Sequence, residues 1–243
     1  MKKIFLTLIF LIGLFVSCGK SDIQQINQQY VDVSFSYTLE QGSMYTKSDV
    51  FSDVFYTKIV SGELVADTYN IKLTEVNTNE EYDFSGKWNS KDFFTIKTGK
   101  YKLTGKCSAQ GEYIQNLASL YFDTIIEINI NDNNVILPAK YDCFLLIFNK
   151  DNISKVTDNY SGWDDANINF KTFYTLDNYI YAFSSKLYKE DTEGRQPFVK
   201  IYLNSGTTSK IYTKSIQFEL GKYYTYNSID NNFSIPEMTQ GII

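Results

Sequence analysis

The stretch YVDVSFSYTLE, residues 30–40, decides the fold. Val31, Val33, Phe35, Tyr37 and Leu39 alternate with Asp32, Ser34, Ser36, Thr38 and Glu40. Successive side chains of a strand point to opposite faces, so this period of two predicts a half-buried strand with one wet face. The period returns at Tyr69-Ile71-Leu73, at Ile126-Ile128-Ile130, over Phe198–Leu203 and from Ile211 to Leu220. Polar turn clusters separate these runs, at 77–81 (NTNEE), 131–134 (NDNN) and 203–210 (LNSGTTSK). The strand-forming residues Tyr, Phe, Thr, Ile and Val dominate the runs. Many short strands with turns at short intervals predict an all-β, antiparallel sandwich architecture. One stretch departs from the period. EYIQNLASLYF (112–122) sets Ile114, Leu117, Ala118 and Tyr121 at helical spacing. It reads either as a short helix or as a loop running into the strand that carries Ile126.

Before the first strand the chain has a different character. Lys2 and Lys3 precede a thirteen-residue run, Ile4–Val16, that is apolar apart from Thr7 and Gly13. This is shorter than the ~20 residues a helix needs to span hydrocarbon, and it suits the apolar region of a signal peptide. The run closes on Phe15-Val16-Ser17-Cys18. That tetrapeptide resembles the lipobox of bacterial lipoproteins, with Phe15 where leucine is usual. The resemblance implies cleavage after Ser17 and acylation of Cys18; the alternative is an ordinary secretory signal with a cysteine nearby. Acyl chains contribute ~0.8 kcal/mol per buried methylene, so several on one cysteine replace the excised run as anchor. Gly19 follows the cysteine, where an Asp would imply inner-membrane retention, and Lys20-Ser21-Asp22 resembles short charged surface-export signals. The implied address is the outer membrane, lipid-anchored, with the cell surface favoured and a periplasmic orientation as the alternative. Residues 1–17 are thus read as signal peptide and 18–29, rich in Gln, as a lipidated tether. As a coil it would span roughly 15–20 Å.

Loss of Lys2 and Lys3 takes the 23 basic residues to 21 against 28 acidic ones, a formal charge of −7. The charges are scattered. Without a basic stripe there is no electrostatic footprint for nucleic acid, and an acidic body has no general attraction for anionic lipid heads. The expected membrane contact is the lipid alone.

The rest of the chain is long enough for two sandwich modules, predicted at 30–134 and 138–243, with Pro138 of VILPAKYDC (135–143) near the boundary. An internal echo supports the division. FTIKTGKYKLTG (94–105) aligns without gaps on IQFELGKYYTYN (216–227), sharing Gly-Lys-Tyr and the alternating apolar positions before it. The glycine suits a turn with φ > 0 ahead of a strand, and the tyrosine after it begins the inward face. A strand, a turn ending x-x-Gly-x-Tyr and an alternating strand, as in IKTGKYKL (96–103) and FELGKYYTY (218–226), resembles prealbumin-like sandwich modules. Two such modules behind a lipobox resemble the fimbrillin-like lipoproteins of Gram-negative gut and oral bacteria. That resemblance implies a pilus subunit, anchor or surface adhesin. It defines no site residue, and no clear arginine or lysine site for proteolytic maturation is visible.

Chemistry is restricted by composition. The chain has no histidine, which removes the commonest general base and zinc ligand together and makes a Ser-His-Asp or Cys-His arrangement impossible. With Cys18 acylated, only Cys107 and Cys143 remain, too few for a thiolate metal site. Both fall on inward phases of their runs and read as buried free thiols, with a disulfide as the alternative that export permits. No phosphate-binding or dinucleotide fingerprint is present, and no cofactor is expected. Paired carboxylates are the one catalytic device left, at Glu80-Glu81, Asp164-Asp165 and Glu190-Asp191, but adjacent residues on a strand point to opposite faces. In NYSGWDDAN (159–167), Tyr160, Trp163, Asp164 and Asp165 form a candidate sugar platform, an aromatic surface rimmed by hydrogen-bonding groups. The bland reading has Trp163 plugging the sandwich end. The expectation is therefore a non-enzymatic envelope protein whose partner is a protein or a glycan, with adhesion or fimbrial assembly ahead of glycan binding and both ahead of carboxylate hydrolysis.

Overall fold

The structure, a computed structural model, describes residues 29–39, 51–88, 90, 92–108, 114–160, 171–184, 197–212, 218–226 and 238–242. The first alternating run is strand β1 (Tyr30–Leu39). Val31, Val33 and Phe35 are buried, and Tyr37 and Leu39 pack half-buried on the same core. A π-helical turn, Phe51–Tyr56, continues into a single turn of α-helix, α1 (Thr57–Val60), which buries Phe55 and Ile59. Then follow β2 (Thr68–Glu75), β3 (Glu81–Lys87), β4 (Phe94–Lys97), β5 (Gly99–Cys107), β6 (Leu120–Ile128) and β7 (Asn134–Tyr141). They hydrogen-bond in the order β3-β2-β5-β6-β7-β1-β4. β1 divides its pairing. Tyr30–Val33 runs antiparallel to β4, and Ser34–Leu39 runs parallel to β7. The sheet curls over its own core, since Phe35 lies 5.3 Å from Phe84 of β3 and Phe84 lies 4.9 Å from Phe94 of β4. The two ends of the strand order are thereby brought together across one aromatic cluster. Gly105 is required there. Its φ is +143°, and a β-carbon would run into the carbonyl oxygen of Asn70 and the α-carbon of Ile71 on β2.

The remaining strands are β8 (Phe144–Asn149), β9 (Ile153–Tyr160), β10 (Tyr174–Leu176), β11 (Tyr179–Ser184), β12 (Pro197–Leu203), β13 (Thr208–Tyr212), β14 (Lys222–Tyr226) and β15 (Met238–Ile242). A 3₁₀ turn, Lys150–Asn152, links β8 to β9; Asn149 caps it by accepting from the backbone N–H of Asp151 at 2.9 Å. These strands form two sheets, β10-β11-β8-β14-β15 and β13-β12-β9. The five-stranded sheet is a shared wall. Phe144, Leu146 and Phe148 of β8 face Val156, Val199 and Ile201 of the three-stranded sheet, whereas Leu145 and Ile147 join the core of the first sheet. Phe55 meets Tyr181 of β11 at 5.3 Å on that side.

The all-β expectation holds. Most pairs are antiparallel, with two parallel exceptions, β1–β7 and β8–β14. The expected module boundary at 135–137 falls inside β7, and sheet membership changes between Tyr141 and Phe144. Residues 114–119 take the loop reading and form no helix. Their spacing has another cause: Ile114, Gln115, Ala118 and Ser119 are buried because the segment is clasped from both sides. The Gln115 N–H donates to Phe183 O and the Phe183 N–H to Gln115 O, both at 2.9 Å, while the Ala118 N–H donates to Leu64 O at 2.7 Å. The two halves of the echo occupy different places. β5 lies between two antiparallel neighbours, while β14 lies between parallel β8 and antiparallel β15. Their tyrosines, Tyr101 and Tyr223, are both buried as expected, and Gly221 turns with φ +74°; Gly99 is close to extended at 159°. Of the run expected from Ile211 to Leu220, Ile211 and Tyr212 are strand in β13 and Leu220–Gly221 is a turn, while residues 213–217 lie outside the described residues.

Candidate functional site

The residues singled out from sequence are distributed unevenly. Cys18, Trp163, Asp164, Asp165, Glu190 and Asp191 lie outside the described residues, and Tyr160 is described only as the backbone that ends β9 opposite Pro197. Glu80 and Glu81 are placed, and they do not act together. Glu80 accepts from Lys97 Nζ at 2.6 Å, and Glu81 from Lys72 Nζ at 2.9 Å. The Lys97 hydrogen bond holds the Glu80 carboxyl below its ordinary range. Each carboxylate has its own lysine, and neither faces the other across a cleft. Among the described residues no group of three or more His, Cys, Asp or Glu side chains could hold a metal ion, and no helix is long and apolar enough to cross a membrane.

Both body cysteines are free and buried. The Cys107 thiol donates to Ala66 O at 3.1 Å, and the Cys143 thiol to Ser119 O at 3.5 Å. Burial pushes Cys143 up to about 12 and raises Cys107 as well, so both are neutral thiols at physiological pH. They are core residues.

The most unusual surface feature is the β6–β7 hairpin. β6 and β7 pair at Leu120↔Tyr141 and Tyr121↔Lys140. The same register carried to the turn sets Asn129 opposite Asp132, and the Asp132 N–H does donate to Asn129 O at 3.0 Å. Between these ends the ladder is absent. Among the described residues, Phe122–Ile128 pairs only with β5, and Asn134–Ala139 only with β1. Over 122–128 and 134–139 each strand therefore keeps one edge with no ladder partner among the described residues, and this interruption of the ladder is an opening between two strand edges. Ile125, on the outer phase of β6, and Ile136, on the outer phase of β7, are 66% and 57% exposed. The signal for this site was present in the sequence as an apolar residue on the wet phase of each alternating run. The opening itself had no local signature.

The fold and this opening define an all-β sandwich protein. No protein-family profile matches the sequence, and no curated protein matches it. Solved structures with a similar arrangement include the tip fimbrial protein Mfa3 of Porphyromonas gingivalis with C-terminal truncation (8% identity, TM-score 0.41, covering 73% of this chain and 94% of that one). Others are a fimbrial protein from Bacteroides ovatus (7%, 0.48, 82% and 48%) and a fimbrial assembly protein from Parabacteroides distasonis (10%, 0.44, 88% and 100%). The likeness is one of strand arrangement.

Proposed function

We propose that this chain is a lipid-anchored protein of the outer membrane, with Cys18 as the acylated residue, and that it serves a non-enzymatic adhesive or fimbrial-type role. The two modules read from sequence act in this proposal as one body held off the membrane by residues 18–29. The observation that carries the binding role is the opening between β6 and β7, where two free edges and the exposed Ile125 and Ile136 accept a strand from a partner protein. Strand addition supplies main-chain hydrogen bonds, and the flanking isoleucines supply apolar contact. Fimbrial and adhesin proteins with a similar strand arrangement accord with this reading.

One experiment on whole cells tests both parts. Cells are fed a palmitate analogue, treated with an impermeant cross-linker, and compared for wild type, Cys18→Ala and the double variant Ile125→Lys/Ile136→Lys. The expected result is acyl label on wild type and on the lysine variant but not on Cys18→Ala, with cross-linked species of higher mass only where both isoleucines remain. An unlabelled wild type ends the anchor proposal. Unchanged cross-linking in the lysine variant ends the strand-addition proposal.

A further inference from the structure

The outer face of β1 and β4 carries a second feature. Val31, Val33 and Ile96 turn inward, so Tyr30, Asp32 and Ser34 of β1 and Thr95 and Lys97 of β4 share the outward phase. The register pairs Tyr30 with Lys97 and Asp32 with Thr95, and its continuation sets Phe93 opposite Ser34. Tyr30 and Phe93 are 63% and 61% exposed, the largest exposures among aromatic side chains on this face. Between them lie polar groups. Thr95 Oγ1 donates to Asp32 Oδ1 at 2.6 Å, and both residues are exposed. Lys97 Nζ, held by Glu80 at 2.6 Å, sits 5.9 Å from the centroid of the Tyr30 ring. Four residues of β1 separate the two aromatic levels, about 13 Å of strand.

We infer that this face is a saccharide-binding platform, with Tyr30 and Phe93 as stacking surfaces and the Asp32–Thr95 pair as the hydrogen-bonding centre between them. The inference rests on the adhesive reading above and names its ligand. Three features select this chemistry. The aromatic residues are separated by polar groups and form no contiguous apolar patch of the kind that marks a protein contact. A pyranose ring matches that alternation, with apolar C–H faces that stack on aromatic rings and hydroxyls that both donate and accept. Asp32 accepts and Thr95 does both, so the centre can satisfy a vicinal pair of hydroxyls. The polar side chains are also fixed before binding, by strand pairing and by the Thr95–Asp32 and Lys97–Glu80 contacts, which lowers the cost of ordering them. The span exceeds one pyranose ring, so the ligand is an oligosaccharide. Asp32, Glu80 and Lys97 leave the face with a slight negative balance, which disfavours acidic sugars.

The test is isothermal titration of the full body, residues 19–243, with cellohexaose, xylohexaose, mannohexaose and N-acetylchitohexaose. Saturable binding to at least one is expected, weakened tenfold or more by Tyr30→Ala and by Phe93→Ala and retained by Tyr30→Phe. Both aromatic side chains are exposed, so these variants should keep the wild-type circular dichroism and melting curve. Ile125→Lys/Ile136→Lys should leave sugar affinity unchanged, which separates this site from the strand-accepting opening. The inference is overturned if no sugar in the panel binds saturably, or if the double variant Tyr30→Ala/Phe93→Ala binds as wild type does. The second outcome would leave the adhesive reading standing and move the sugar elsewhere, with Trp163→Ala as the next comparison.

Discussion

Strands β1 and β8 are built to opposite rules. β1, YVDVSFSYTL, turns every second residue towards the core, burying Val31, Val33 and Phe35, and leaves Asp32 and Thr38 exposed. β8, FLLIFN, buries Phe144 through Phe148 without a gap. The difference is one of neighbours. β1 has a core on one side and water on the other, so half its side chains are free to be polar. β8 lies in a sheet walled on both sides, with Leu145 and Ile147 in one core and Phe144, Leu146 and Phe148 in the other. A strand of the first kind can carry a surface function on its wet phase. A strand of the second kind couples two cores, and it does so with no polar position to spare.

The largest effect that tests this contrast lies in β8. Phe148, fully buried against Phe173 and Tyr226, should cost about 3–5 kcal/mol when changed to Ala, and Leu145→Ala about 2–5 kcal/mol. Because the two side chains enter different cores from one strand, both substitutions should lower a single cooperative unfolding transition in urea followed by near-ultraviolet circular dichroism. Two separated transitions, each moved by only one of the variants, would break the idea that β8 joins the cores. A smaller pair of effects belongs to β1. Val33→Ala on the buried phase should cost about 2 kcal/mol, while Ser36→Ala on the wet phase, losing only the hydrogen bond from Asn134 Nδ2 at 2.9 Å, should cost about 1 kcal/mol or less. Equal costs on the two phases would mean that the outer face is covered.

The smallest effect at neutral pH concerns Cys143, one residue before β8. Its thiol stays protonated in the folded chain until about 12, while in the unfolded chain it ionises near its ordinary 9.0. Between these values the unfolded state binds fewer protons, so stability is complete below pH 9 and falls as pH rises towards 12. Burial of Tyr181 and Tyr101, each also raised to about 12, adds to the fall above pH 10. Urea midpoints at pH 7, 9 and 10.5 should decline in that order, and Cys143→Ala should flatten the step from 9 to 10.5. An aromatic-disulfide thiol reagent should react with neither Cys107 nor Cys143 until denaturant is added.

Much of the fold was legible because its signals are local. The alternation at 30–40, at Tyr69-Ile71-Leu73 and across Phe198–Leu203 became β1, β2 and β12. The inward tyrosine after each Gly-Lys step was legible for the same reason, as Tyr101 and Tyr223 show. Ile130, expected to extend the strand of Ile126 and Ile128, lies instead in the turn and is exposed, because the chain reverses at Asn129–Asp132. Residues 51–60 went unread as helix. Phe55 and Ile59 are fully buried against partners from distant elements, and that burial stabilises a turn too short to announce itself. The helical spacing at 114–118 misleads in the opposite sense, since those side chains are buried by a clasp between Leu64 and Phe183.

The sequence by itself determined the period of two, the inward and outward phases, the lack of histidine chemistry and the apolar residues that stand on wet phases. Those follow from the geometry of a few consecutive residues and from composition. Only the tertiary structure decided that β1 pairs parallel with β7, that the β6–β7 ladder is interrupted between its ends, that Tyr30 and Asp32 pair with Lys97 and Thr95, and that β8 serves two cores. Each of these depends on which of several equally patterned strands lie side by side. That choice is made by packing among residues far apart in the chain, where local alternation is the same for every candidate partner.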